Sequence, residues 1–217
     1  YTKESKLADM LMKPMEETLK KIGYVGMLDM NCIVDEKDGT PWPMEWTARP
    51  GWPMWQIMQP LMENDDPAEW MLDIIKGNSK TFKAKEGTCV GVVMATSDFP
   101  FNKKEVDSYI DFPILTDDVK GDEINNLHPC EVKLTKAMKM MGEKLVEDVP
   151  EWGTAGSYII VCTGTGDSVT EAKDNAYKLV KKVKFGNDVQ YRTDIGNRCE
   201  KALAKLHKFG FCKGWKF

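Results

Sequence analysis

Two strand-like runs meet at an Asp-Gly pair early in this chain, and no other local feature restricts its fold as tightly. Tyr24–Val34 is followed by Asp35-Glu36-Lys37-Asp38-Gly39-Thr40 and then by a second run, Trp42–Arg49. Asp-Gly favours a hairpin because the turn needs positive φ. Side chains alternate across a strand. On the first strand Gly26, Leu28, Met30, Cys32 and Val34 are expected to face one way, and Asp29 and Asn31 the other. On the second, Trp42, Met44, Trp46 and Ala48 line an apolar face, while Glu45, Thr47 and Arg49 line the opposite one. The polar side then carries two carboxylates, two neutral oxygen donors and an arginine. A magnesium-bound phosphate needs such a set: hard oxygens for the metal and a guanidinium fork for the phosphate. The same pattern also fits an amphipathic hairpin with a solvated outer face and a surface ion pair. The residues alone leave both readings open.

At 217 residues the chain can bury a substantial core and holds one large or two small domains. A net charge of −4 and the lack of a long basic run argue against a nucleic-acid surface. The longest apolar runs, near 90–95 and 159–162, are too short to span a membrane. No signal peptide is visible, and opening on Tyr1 rather than Met suggests a fragment or a processed chain. Cys32, Cys89, Cys130, Cys162, Cys199 and Cys212 are scattered without a Cys-x-x-Cys pair. Reduced thiols in a cytoplasmic protein explain that spread better than disulfides or zinc. His128 and His207 show no ligand spacing, so both are expected at the surface.

Leu7, Met10, Leu11, Met15, Leu19 and Ile22 recur at helical spacing, with Pro14 marking the start of a second helix and Gly23 its stop. Asp66-Pro67 opens a helix that ends at Gly77, and 76–80 reads as a linker. Thr88–Ala95 has the pattern of a buried strand, and 96–134 reads as a loop-rich β segment. Ser157–Thr163 is a further strand, after which Gly164-Thr165-Gly166 reads as a tight turn into a helix begun at Ser168-x-x-Glu171. Asn197–Lys208 is a last helix. Arg192 and Asp194 stand two apart at a strand end, a spacing that sends both to one side. An ion pair capping the last helix and a role at a site weigh equally there.

These segments resemble one family, and in its order. Tyr24-Val25-Gly26-Met27-Leu28 through Glu45-x-x-Ala48-Arg49-x-Gly51-x-Pro53 is similar to the end of an ATP-grasp fold. The closest pattern is that of phosphoribosylamine–glycine ligase. Val92-Val93-Met94-Ala95 with Pro100, then Ser168, Glu171-Ala172, Ala176-Tyr177, Phe185 and Tyr191-Arg192-x-Asp194-Ile195-Gly196 resemble that ligase's C-terminal domain. The tail motif is fairly specific to the ligase, whereas the hairpin motif is shared across ATP-grasp enzymes.

The resemblance implies an α+β fold: the C-terminal half of an ATP-grasp domain (1–80), then a small β-rich C-terminal domain with two helices (81–217). It implies an ATP-dependent carbon–nitrogen ligase of purine biosynthesis, with Mg²⁺ or Mn²⁺ as cofactor and ATP as co-substrate. Glycine would be activated as an acyl phosphate and attacked by the amine of phosphoribosylamine. Glu45 matches the family's magnesium-binding glutamate, and Arg49 its phosphate-contacting arginine, here assigned a catalytic role as well. Asp29 matches a second metal-binding acid on the preceding strand. Thr47 replaces a metal-binding asparagine, for which Asn31 can compensate, and Arg192 is a further cofactor-binding candidate. Trp52 and Met54 stand where the family carries acids, which makes the substrate pocket more apolar. The family's amino-terminal substrate domain and lid have no counterpart here, so a missing amino-terminal half or subunit is an expected partner. Two alternatives remain: a ligase for another carboxylate–amine pair, and a non-catalytic assembly module.

Overall fold

The computed structural model describes residues 5–63, 66–78, 83–96, 99–100, 109–186 and 189–217. It is mixed α and β, as the sequence implies, and separates into two compact units. The first holds Tyr1–Thr88, Asp167–Thr170 and Gly196–Phe217; the second holds Cys89–Gly166 and Glu171–Ile195. Among the described residues, no helix is long and apolar enough to cross a membrane.

In the first unit, α1 (Lys6–Leu11) is capped by Ser5, whose hydroxyl accepts from Ala8 N, and α2 spans Glu16–Lys21. Pro14 separates them inside a 3₁₀ turn, Lys13–Met15, because its ring cannot continue the α hydrogen-bond ladder. Strands β1 (Asp29–Val34) and β2 (Pro41–Thr47) form the expected hairpin. The first strand begins at Asp29 rather than at Tyr24. Ahead of it the chain turns locally, with the Tyr24 hydroxyl donating to Met27 O and Gly26 at φ 148°. Helix α3 (Met54–Met58) and helix α4 (Pro67–Ile75) follow, the latter capped by Asp66 Oδ1 accepting from Ala68 N and Glu69 N. Trp55 and Trp70 pack their rings 6.2 Å apart. The linker expected at 76–80 falls partly outside the described residues. Helix α6 (Cys199–Lys208) completes the unit, and Lys205 reaches Glu36 at 2.6 Å.

The second unit contains the apolar core. Strands β3 (Thr88–Ala95), β5 (Leu127–Pro129) and β8 (Tyr158–Gly166) form a sheet in the order β3-β8-β5. Ile159, Ile160, Val161 and Cys162 are fully buried in succession, so the central strand is covered on both faces. Helix α5 (Val169–Val180) buries Ala172 and Ala176 completely. Gly164 and Gly166, read from sequence as a turn, instead lie on β8 as it passes against that helix. A Cβ on Gly164 would sit 2.5 Å from Ala172 O and 2.7 Å from the Asn175 carbonyl carbon. The glycines serve close approach rather than chain reversal. Strand β4 (Ile114–Leu115) pairs with β9 (Lys184–Phe185), burying Ile114 and Phe185.

A long ribbon, β6 (Val132–Met141) with β7 (Lys144–Thr154), begins at the end of the loop-rich β segment expected at 96–134 and runs on to Thr154. Lys133 and Thr135 tie its base to Asp111 at 2.8 and 3.1 Å.

His128 corrects the sequence reading of a surface histidine. It is 8% exposed, with Nε2 3.0 Å from Thr163 Oγ1. The Thr163 hydroxyl donates to Asn126 at 3.3 Å, which leaves its oxygen to accept from a neutral imidazole. Burial pushes the His128 pKa down from 6.5 to about 4. Between those two values the unfolded chain takes up a proton that the folded chain refuses. Stability is therefore full above pH 6.5 and is lost as pH falls toward 4, by about 1.4 kcal/mol per pH unit from this group. Urea unfolding of wild type and His128→Gln at pH 7 and 4.5 checks this: the variant should lose the larger share of stability at pH 7, and the gap should narrow at pH 4.5.

Candidate functional site

The hairpin places the sequence-predicted residues through its turn and its register. The turn is fastened by Asp35 N donating to Thr40 O, Gly39 N to Asp35 O, Lys37 N to Asp35 Oδ1 and Thr40 N to Asp38 Oδ1, all at 2.8–2.9 Å. Gly39 sits at φ 78°, and a Cβ there would also strike the Phe209 ring at 2.5 Å, so two constraints demand glycine. With the turn fixed, Asp29 lies opposite Thr47 and Asn31 opposite Glu45. Directly opposed residues share a face, with Cβ atoms roughly 5 Å apart. The four oxygen-bearing side chains thus occupy one patch of the ribbon.

Beyond that patch the simple alternation fails. The register shifts after Asn31, so that Cys32 pairs with Pro43, Ile33 with Trp42, and Met44 is the extra residue. Such a bulge reverses the phase of everything beyond it. Trp42 therefore lies opposite Ile33, on the face of Asp29 and Asn31, and not with Trp46 as expected. The other face carries Met30, Cys32 and Val34 against Trp46, Pro43 and Pro41.

Thr47 and Asp29 are half-buried; Glu45 and Asn31 are exposed. The Thr47 hydroxyl lies 3.1 Å from Arg49 O and 3.4 Å from Asp29 Oδ2, and its single proton favours the shorter partner. The chain after β2 folds back over Asp29, since a Cβ on Gly51 would stand 3.4 Å from Asp29 Oδ2. Arg49 lies past the last ladder pair, where strand alternation no longer orients a side chain. Its Nη1 donates to Pro50 O at 3.0 Å. An exposed arginine in a local bond of this kind can exchange it for a phosphate oxygen.

Two carboxylates and two neutral oxygens suit Mg²⁺, which takes one or two protein carboxylates and fills its octahedron with water and phosphate oxygens. A group of three or more His, Cys, Asp or Glu able to hold a metal does not occur among the described residues. The donor set would suit an open metal site completed by ligands from outside the protein, not a closed protein cage.

Arg192 belongs to the second unit. Its Nε and Nη2 donate to the two Asp194 oxygens at 2.9 and 2.7 Å, a bidentate fork on an exposed loop. Tyr177, on α5, pins that loop: its hydroxyl donates to Arg192 O at 2.6 Å and accepts from Ile195 N at 3.1 Å. No role for Tyr177 is legible in the sequence. A tyrosine on a helix, about fifteen residues before a loop, gives no local sign of what its hydroxyl meets.

The family model for phosphoribosylglycinamide synthetase, C domain, matches residues 89–198. The chain belongs to that family. Among curated relatives, phosphoribosylamine–glycine ligase of Vibrio vulnificus is 29% identical over 179 residues, covering 81% of this chain and 36% of that protein. Its counterpart from Neisseria meningitidis is 30% identical over 181 residues, covering 81% and 37%. A bifunctional purine biosynthetic protein of Dictyostelium discoideum is 29% identical over 208 residues, covering 91% of this chain and 23% of that one. The crystal structure of phosphoribosylamine–glycine ligase from Thermotoga maritima superposes with a TM-score of 0.54 at 23% identity, over 84% of this chain and 42% of that one, and shares the fold. The chain spans about a third of the length of the first two relatives. Coverage of 81% is more than 89–217 contains, so the family likeness reaches back into the stretch that carries the hairpin.

Proposed function

We propose that the chain is the carboxy-terminal portion of a phosphoribosylamine–glycine ligase-like ATP-grasp enzyme, active when joined by the amino-terminal portion. The observation that carries this reading is the hairpin register, which sets Asp29 against Thr47 and Asn31 against Glu45 on one face. Glu45 and Asp29 would hold Mg²⁺, with Asn31 and Thr47 as neutral oxygen donors. Arg49 releases Pro50 O to hold a phosphate oxygen of ATP; Arg192, on the second unit, is a separate candidate for holding an anionic group. A Mg²⁺ held by these carboxylates would neutralise phosphate charge and help orient the phosphoryl group for transfer. Phosphoryl transfer from ATP to the glycine carboxylate would release ADP and give the acyl phosphate, and attack by the amine of phosphoribosylamine on its carbonyl carbon would form the amide, releasing inorganic phosphate and a proton.

The test is ADP formation by the assembled protein with MgATP, glycine and phosphoribosylamine. Magnesium-dependent turnover is expected, and an assembled protein that transfers no phosphate removes the reading. A second reading, a different carboxylate–amine pair, is favoured by Trp52, which is 56% exposed one residue after the Gly51 backbone that closes on Asp29. Turnover with other pairs but not with glycine and phosphoribosylamine selects it.

A further inference from the structure

Two thiols of the first unit converge from opposite ends of the sequence. Cys32 lies on β1 where the register shifts, on the side that Met30 and Val34 share and away from Asp29 and Asn31. It is half-buried, whereas Ile33 beside it points to solvent at 59% exposure. Cys212 comes from the segment after α6, which packs on the hairpin and on α1. The Phe209 ring closes on the hairpin turn and leaves no room for a Cβ on Gly39. Lys6, on α1, donates to Phe209 O at 2.6 Å and stands 4.9 Å over the ring of Phe211, which is fully buried. Cys212 follows directly and is held through its backbone. Its carbonyl accepts from His207 Nε2 at 2.8 Å and from Trp215 N at 2.9 Å, and the chain turns back there with φ at 51°. Across this junction the two thiols feel each other. Burial raises both above the ordinary thiol range, and Cys32 raises Cys212 further, as a like charge acts on a near neighbour. Both are free thiols in the structure.

We propose that Cys32 and Cys212 form an oxidation site, closing under peroxide to a reversible disulfide that fastens the segment after α6 to β1. One thiolate attacks a peroxide oxygen, the O–O bond breaks, hydroxide leaves and the sulfur becomes a sulfenic acid. The second thiolate attacks that sulfur, displaces hydroxide and forms the S–S bond. In sum, two thiols and one hydrogen peroxide give one disulfide and two waters, with two electrons passing from sulfur to oxygen. The bridge ties down the strand that carries Asp29 and Asn31. Cys89 and Cys162 compete poorly, because burial pushes each thiol up to about 12 and leaves almost no thiolate to react.

The test treats the 217-residue chain with hydrogen peroxide near pH 8.5, where an ordinary thiol is about half ionised. Remaining thiols are then blocked, and disulfides are mapped by mass spectrometry after non-reducing proteolysis. Two of the six thiols should be lost. The peptides carrying Cys32 and Cys212 should be joined in most chains, within one chain, until dithiothreitol separates them. Cys32→Ser and Cys212→Ser should each lower the disulfide yield by about tenfold or more, and Cys199→Ser should leave it unchanged. A bridge needs Cα atoms within about 7 Å, so the same treatment in urea should join this pair far less often. A folded chain that joins Cys32 to Cys212 no more often than the urea-unfolded chain overturns the proposal. So does bridging of either residue to Cys130 or Cys199, or between two copies of the chain. Sulfenic or sulfinic acid without a bridge overturns it, as does a chain that keeps all its thiols at a peroxide dose that oxidises free glutathione.

Discussion

Glu45→Ala in the assembled protein is expected to lose magnesium-dependent phosphate transfer by on the order of 10² or more. The magnitude follows from removing one fixed charged ligand where transition-state charge develops. The loss should be chemical rather than structural. Glu45 is exposed on β2, and a surface substitution of this kind stays within about 0.5 kcal/mol of wild-type stability. Titrating Mg²⁺ separates the roles of the ligands. Glu45→Ala should raise the half-saturating concentration steeply, whereas Asn31→Ala, which removes a neutral donor, should raise it less. Thr47→Val tests whether the hydroxyl that bonds Arg49 O also serves the metal. If Glu45→Ala leaves both turnover and the Mg²⁺ requirement unchanged, the hairpin is not the metal site and its carboxylates are surface charge.

The hairpin also shows how much of this molecule was legible in its sequence. The Asp35–Thr40 turn was readable because its requirements are local: an Asx bond, a second one at Asp38, and a glycine at positive φ. The opposition of Asp29 and Asn31 to Thr47 and Glu45 followed from counting outward along strand ends near which pairing is regular. The reversal at Met44 was not readable, since a bulge is a property of two strands in register and neither strand shows it alone. The same limit hid the β6–β7 ribbon, where lysines at 133, 136 and 139 fall on both faces and blur the period of two. It hid the burial of His128 as well, whose surroundings are set by a strand 35 residues away. The tail motif was legible as a family pattern, but its fork from Arg192 to Asp194 forms on a loop, where the strand alternation assumed from their spacing does not apply. The Tyr177 hydroxyl that fixes the loop is a tertiary contact.

Gly164→Ala should destabilise the second unit strongly, by about 2–4 kcal/mol. The usual expectation runs the other way. Replacing glycine in a strand by alanine limits the unfolded chain and commonly gains up to about 1 kcal/mol. The sign here is decided by what the new methyl meets. Its neighbours are Ala172 O, the Asn175 carbonyl carbon and Ala176 N, all backbone of α5, which cannot rotate aside as a side chain would. Either the helix lifts from β8, opening space beside Ala172 and Ala176, which are fully buried, or the central strand bends. Both outcomes spend the packing that makes this unit the apolar core. Gly153→Ala differs in kind, because there the nearest atom is the Thr135 methyl, which can move. Gly214→Ala is the control: nothing lies within 4 Å of its added Cβ, and it should be neutral. Native-state hydrogen exchange at Ile159–Thr163 reads the effect in the second unit directly. Protection there should fall by about two orders of magnitude in Gly164→Ala and remain at the wild-type level in Gly214→Ala. Equal protection in both variants would mean that β8 and α5 stand farther apart than the structure places them.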